Sequence, residues 1–162
     1  MKRPLIVVAD DYPPTIGGTP VEQRLREIGE LVLHHSLANK PELLLPRLKD
    51  AEVTINIRAS TYYSREVLKQ CPRLKHIAVF GVGTDNVDLA ACRDLGITVT
   101  NTPGYAAIGV AELAITLALA VLRHIPQNDA AVRRGEWARY PVALLNGKTL
   151  GLVGVGAIGA RT

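Results

Sequence analysis

The sequence predicts an α/β fold in which an open parallel sheet is covered by helices on both faces. Over the first hundred residues, short aliphatic runs alternate with capped, amphipathic segments. Apolar residues make up 48% of the 162 positions while aromatics supply only 4%. The core is therefore mostly Leu, Val, Ile and Ala, the usual mix of parallel strands buried on both sides.

Each element follows from a local signal. "PLIVVAD" (4–10) is a buried-strand run. "TPVEQRLREIG" (19–29) carries a capping Thr19, Pro20 at the first helical position and Gly29 as a stop. "ELVLHHS" (30–36) reads as a second strand, and "KPELLLPRLKD" (40–50) as a helix that Pro46 is expected to kink or divide. "AEVTINIRA" (51–59) is a third strand and "SREVLKQC" (64–71) a helix ended by Pro72. "LKHIAVFG" (74–81), "NVDLAACRDLG" (86–96) and "ITVTNTP" (97–103) complete the series as strand, helix and strand.

The pattern changes after Pro103. "VAELAITLALAVL" (110–122) is apolar on nearly every side, which predicts a helix buried within a fold or against another subunit. It is shorter than the roughly 20 residues that cross a bilayer, and Glu112 and Arg123 bracket it, so no membrane partner is expected. "QNDAAVRRGEW" (127–137) reads as a polar helix and "KTLGLVGV" (148–155) as one more buried strand. Residues 1–103 form one small α/β domain in this reading. Residues 104–162 are the opening of another, whose single strand has no sheet of its own, so the second domain is expected to be incomplete.

The formal charge of +4 raises the question of nucleic acid, but the basic residues are dispersed. Their densest group is Arg133, Arg134 and Arg139 with Trp137 among them, short of a basic face with several stacking aromatics. No nucleic-acid partner is expected. Cys71 and Cys92 form no CxxC pair and define no disulfide framework. The apolar run after Met1 is too short for a signal peptide, and reduced thiols in the cytoplasm are expected.

Two glycine motifs point to ligands. Gly154-x-Gly156-x-x-Gly159 follows a predicted strand and stands where a helix should start. That spacing allows a tight turn, close backbone approach to a dinucleotide pyrophosphate and close helix–strand packing, with helix amides facing the phosphates. A glycine-rich strand end without ligand is the alternative. "FGVGTDNVD" (80–88) follows the fourth strand, and ligands of open α/β sheets sit beyond the carboxyl ends of strands. Its glycine amides suit an anion such as a carboxylate; the alternative is an ordinary strand-to-helix turn with Asp85 or Asn86 as the cap.

Other candidates read as structural. Asp10 and Asp11 resemble the acidic pair of phosphoryl-accepting receiver domains, but "INIRAS" and "TVTNTP" lack the Asp and Lys that this chemistry needs. They are read as polar loop residues or loop-ordering carboxylates. His34, His35, His76 and His124 lack metal-ligand spacing, and no metal site is expected. Arg58, Ser60, Tyr62 and Tyr63 are read as solvated loop residues, with lining of a cleft mouth as the alternative.

Taken together, "FGVGTDNVDLAACRDLGITVTNTPGYAAIGVAELAITLALAVLR", "RRGEW" and "NGKTLGLVGVGAIG" resemble the D-isomer-specific 2-hydroxyacid dehydrogenases, a group that includes phosphoglycerate, glycerate, hydroxypyruvate and D-lactate enzymes. The resemblance covers essentially the whole chain. It implies a flavodoxin-like substrate domain over 1–103 and the start of a Rossmann domain over 104–162. The Val82 and Gly83 backbone would meet the substrate carboxylate, and Asn101, Thr102 and Pro103 would form a hinge. Val110 would approach the nicotinamide of NAD or NADP, and Gly154, Gly156, Ala157, Ile158 and Gly159 would hold the pyrophosphate. The helix over 110–122 would form a homodimer interface.

The family's catalytic Arg, Glu and His lie downstream of the fingerprint, beyond Gly159. The expectation is an oxidoreductase sequence acting on the CH–OH group of a D-2-hydroxy acid or its 2-oxo acid, truncated so that the 162 residues alone are inactive. The alternative is a short non-catalytic dimerising module or a vestigial product.

Overall fold

A computed structural model describes residues 2–162, and the chain divides into two compact units, Met1–Pro103 and Gly104–Thr162. The first unit contains β1 (Leu5–Val8), α1 (Pro20–Ile28), β2 (Glu30–Leu33), α2 (Pro41–Leu48), β3 (Val53–Asn56), α3 (Arg65–Leu68), β4 (His76–Val79), α4 (Leu89–Asp94) and β5 (Thr98–Thr100). Its five strands are all parallel, in the order β2-β1-β3-β4-β5. This is the flavodoxin-like order, whose reversal point lies between β1 and β3.

Period-two alternation makes the sheet two-sided. Val7 of β1 points into a core with Leu44 and Leu48 of α2, Val67 and Leu68 of α3, and Cys92 of α4. Its neighbours Ile6 and Val8 point into a second core with Leu31 and Ile55, against which Leu25 of α1 packs. Three helices thus cover one face and α1 the other. On the α1 face, His76 and Ala78 of β4 are half-buried, and Thr98 and Thr100 of β5 are exposed.

The caps explain where the helices start. Thr19 and Gly29 bracket α1 with Pro20 in its first turn, and the Ser64 side chain accepts from the Val67 amide at the start of α3. The cap of α4 is Asp88, whose Oδ1 accepts from the Ala91 amide at 2.7 Å, not Asp85 or Asn86. Pro46 lies inside α2 without dividing it.

The second unit contains α5 (Ala107–Leu122) and α6 (Ile125–Arg133), bent 60° from each other. His124 turns the chain between them with φ +51°, a left-handed conformation uncommon outside glycine. One expectation is corrected here. The strand expected over 148–155 does not form, and Val153 is 107% exposed; no other strand exists in this unit to pair its backbone. The apolar helix is mostly uncovered by its own unit. Only Ala107 and Ala111 of α5 are buried, while Leu113, Leu117, Leu119 and Val121 are exposed. Part of α5, at Ala114, Ile115 and Ala118, shares a groove of about 320 Å³ with Leu145, Leu150 and Leu152. No single helix among the described residues is long and apolar enough to cross a membrane.

Candidate active site

Beyond the carboxyl ends of β3 and β4 lies a cavity of about 270 Å³, lined by Asn56, Ile57, Tyr62, Phe80, Gly81 and Gly83 among others. Its position follows from the sheet. The Phe80 amide continues the ladder by donating to the Asn56 carbonyl at 2.8 Å, after which the glycine loop leaves the strand. Two of the loop's carbonyls, those of Gly81 and Val82, are engaged from the turn after β5. The Thr102 amide and Oγ1 both donate to the Gly81 carbonyl, at 2.8 and 3.0 Å. Asn101 Nδ2 donates to the Val82 carbonyl at 2.7 Å. The Val82 and Gly83 amides donate no hydrogen bond among the described residues, so they are available to an anion. A Cβ at Gly83 would stand 3.2 Å from Asp85 Oδ2, which places a carboxylate beside the loop.

A buried polar network lies behind this loop. Asn86 Nδ2 donates to the Thr61 carbonyl at 2.7 Å, to Asn56 Oδ1 at 3.1 Å and to the Arg58 carbonyl at 3.3 Å. The Tyr63 amide returns a bond to the Asn86 carbonyl at 2.8 Å. Thr61 Oγ1 in turn donates to Asp10 Oδ2 at 2.5 Å, and the Ile57 and Arg58 amides point at the same carboxylate. Burial pushes the Asp10 carboxyl above its ordinary value, against these donors. Asp11 has the opposite balance. Burial works to raise it, but the Ile16, Gly17 and Thr15 amides and nearby His35 hold it below the ordinary value. Both aspartates therefore order loops, as one of the sequence readings expects.

The post-β3 residues separate into different roles. Tyr62 is exposed and lines the cavity, and Ser60 is exposed. Arg58 is tied to the Tyr12 and Pro13 carbonyls. Tyr63 is fully buried in the core, which corrects its reading as a solvated residue. The roles of Asn56, Thr61 and Asn86 are absent from the sequence reading. Their only signal is polar residues placed at strand ends.

The histidines are dispersed. His35 Nδ1 lies 3.6 Å from Asp11 Oδ2, His76 Nε2 is 2.8 Å from Thr100 Oγ1, and His124 Nε2 is 3.1 Å from the Pro141 carbonyl. Two of the three clustered arginines are occupied, Arg133 with Asp129 and Arg134 with Glu136. Cys71 and Cys92 are free and buried, and burial pushes the Cys71 thiol up to about 11.

In the second unit, the fingerprint forms a tight turn. Gly154 takes φ +92°, and a Cβ at Gly159 would lie 2.3 Å from the Gly154 carbonyl, so only glycine fits there. The Ala160 amide donates to the Gly156 carbonyl at 3.0 Å, closing one helical turn. The Ala157 and Ile158 amides donate to no group among the described residues. A turn of this kind fits a pyrophosphate. Val110 stands partly exposed on α5.

The sequence profile of D-isomer specific 2-hydroxyacid dehydrogenase, catalytic domain, matches residues 6–157. A D-3-phosphoglycerate dehydrogenase of Methanocaldococcus jannaschii is 43% identical over 139 residues, 85% of this chain and 26% of that protein. A glyoxylate reductase of Thermococcus litoralis is 40% identical over 126 residues, 72% of this chain and 38% of its own length. The crystal structure of an NADPH-dependent glyoxylate/hydroxypyruvate reductase from Sinorhizobium meliloti, in complex with NADP and malonate, superimposes with a TM-score of 0.74 at 31% identity. It covers 99% of this chain and 49% of that one. The chain thus spans about half, or less, of the length of the proteins it matches. With the parallel sheet in flavodoxin-like order and the glycine loop beyond β4, these matches place the chain in the D-isomer specific 2-hydroxyacid dehydrogenase family.

Proposed function

We propose that these residues are the substrate-recognising part of an NAD(P)-dependent oxidoreductase that interconverts a 2-oxo acid and a D-2-hydroxy acid. The supporting observation is the loop after β4. Its Gly81 and Val82 carbonyls are clamped by Thr102 and Asn101 while the Val82 and Gly83 amides are left for the substrate carboxylate. Residues 154–159 would hold the cofactor pyrophosphate, Val110 would approach the nicotinamide, and bound NAD(P)H would supply the hydride. Residues 1–103 act as the substrate domain and 104–162 as the opening of the cofactor domain.

The polypeptide of these 162 residues is proposed to lack turnover by itself, because the Arg, Glu and His implied by the resemblance lie beyond Gly159. The exposed apolar side of α5 is proposed as a homodimer interface. That same surface favours the second reading, a non-catalytic interaction module. Two buried free thiols are in keeping with a reducing, cytoplasmic setting.

Amide spectra recorded during titration with glyoxylate test the proposal. The Val82 and Gly83 signals should move, and glycolaldehyde, which lacks the carboxylate, should leave them in place. Equal responses to both compounds would remove carboxylate recognition. Oxidation of NADH by these 162 residues in the presence of glyoxylate would overturn the proposed inactivity. A chain that forms dimers yet ignores both glyoxylate and NADH would favour the module.

A further inference from the structure

We infer that Asn86 is a positioning residue for the carboxylate-binding loop, an inference that rests on the proposed function. Asn86 stands three residues after Gly83 and is 6% exposed. Its side-chain amide reaches three acceptors, all within the segment 56–61. An –NH2 group has two protons, so the 3.3 Å contact with the Arg58 carbonyl is the shared, weaker one. The backbone of Asn86 is engaged as well, accepting from the Tyr63 amide. The loop after β4 is thereby fastened at its far end to the loop after β3, while Asn101 and Thr102 fasten its first residues, Val82 and Gly81, to the turn after β5.

The fastening has a direction. Asn56 Oδ1 is at the end of β3, and Asn56 Nδ2 donates onward to the Arg58 carbonyl at 3.0 Å. Thr61 is held through its hydroxyl by Asp10 at the end of β1. Asn86 therefore bonds to groups fixed by two adjacent strands, on either side of the order reversal. Backbone amides bind an anion well only when they are held in place before it arrives. In the Asn86→Ala variant, Asn56 Oδ1 and the Thr61 carbonyl lose their donor, the Arg58 carbonyl keeps its bonds from Asn56 Nδ2 and the Thr61 amide, and residues 81–85 lose the side-chain part of their far anchor. The sheet itself contains none of these bonds.

The test measures oxalate affinity from the Val82 and Gly83 amide shifts in wild type, Asn86→Ala, Asn86→Ser and Val67→Ala. The serine variant keeps one donor. Val67 lies in the core of α3, so its truncation destabilises the unit without touching the loop. Oxalate affinity should fall roughly tenfold in N86A, corresponding to the loss of one well-placed hydrogen bond. It should fall less in N86S and stay unchanged in V67A. Equal affinity in wild type and N86A would overturn the inference, and so would an equal loss in V67A. Failure of both Asn86 variants to fold would make the residue a stability element and overturn it as well. Wild-type amides that ignore oxalate would instead defeat the carboxylate reading itself, so the two failures are distinguishable.

Discussion

Asn101 Nδ2 donates to the Val82 carbonyl across 2.7 Å, joining the turn after β5 to the loop after β4. With this carbonyl and that of Gly81 occupied, the Val82 and Gly83 amides stand among the loop's unspent groups. The bond lies on an exposed surface, so it adds little to stability. Asn101→Ala should cost no more than about 1 kcal/mol in a urea unfolding experiment while weakening oxalate several-fold in an amide-shift titration. A stability loss well above that, with affinity unchanged, would make Asn101 a structural residue only.

Asp85 is the opposing charge. Its Oδ2 lies beside Gly83, and the residue lines the same cavity. A carboxylate ligand entering there meets like charge, so Asp85→Asn should tighten oxalate binding. The gain should shrink as salt is added, because screening weakens the repulsion that the substitution removes. Calorimetry at low and high salt reads both effects.

The Asp11 carboxylate accepts from the Thr15, Ile16 and Gly17 amides at 2.6, 3.0 and 2.9 Å. Its pKa is lowered on folding from 3.8. A carboxyl depressed in the native state contributes stability that is present above pH 3.8 and lost as pH falls through the folded value. Asp11→Asn should therefore cost about 1–3 kcal/mol at neutral pH, where an amide –NH2 meets backbone donors. The gap from wild type should close as pH drops below 3.8. Asp10 is raised by burial and shifts stability with the opposite sign, but it is present in both proteins and cancels in the difference. Urea midpoints from pH 7 to pH 3 check the trend.

Leu113, Leu117 and Val121 recur at helical spacing on the exposed side of α5. Burial of such a side chain contributes about 1.5–3 kcal/mol. If α5 pairs with a second copy, Leu117→Glu should convert dimer to monomer in sedimentation equilibrium and leave the first unit's thermal unfolding unchanged. A wild-type chain that sediments as a monomer would remove the proposed interface.

Much of the fold was legible because its signals are local. Pro20 and Gly29 bracket α1, Ser64 caps α3, and the aliphatic runs become β1 to β5. The strand order was not legible from periodicity, since alternating runs do not say which strands are neighbours; it came from the resemblance. "KTLGLVGV" has every local mark of a buried strand and forms none, because strands exist only through partners. The all-round apolarity of α5 indicates that something covers it, not that this unit does. The glycine spacing beyond a strand points to the loop over 80–88, and the resemblance points to Val82 and Gly83 within it. The role of Asn86 could not be read this way, because its importance lies in bonds to Asn56, Arg58 and Thr61, 25 to 30 residues away.

The loop after β4 is proposed to receive a carboxylate on the Val82 and Gly83 amides. A crystal structure of the chain grown with glyoxylate decides it. Carboxylate density is expected with an oxygen within hydrogen-bond distance of both nitrogens, and Asn101 still bonded to the Val82 carbonyl. Glyoxylate bound elsewhere, with those two amides facing solvent, would contradict it.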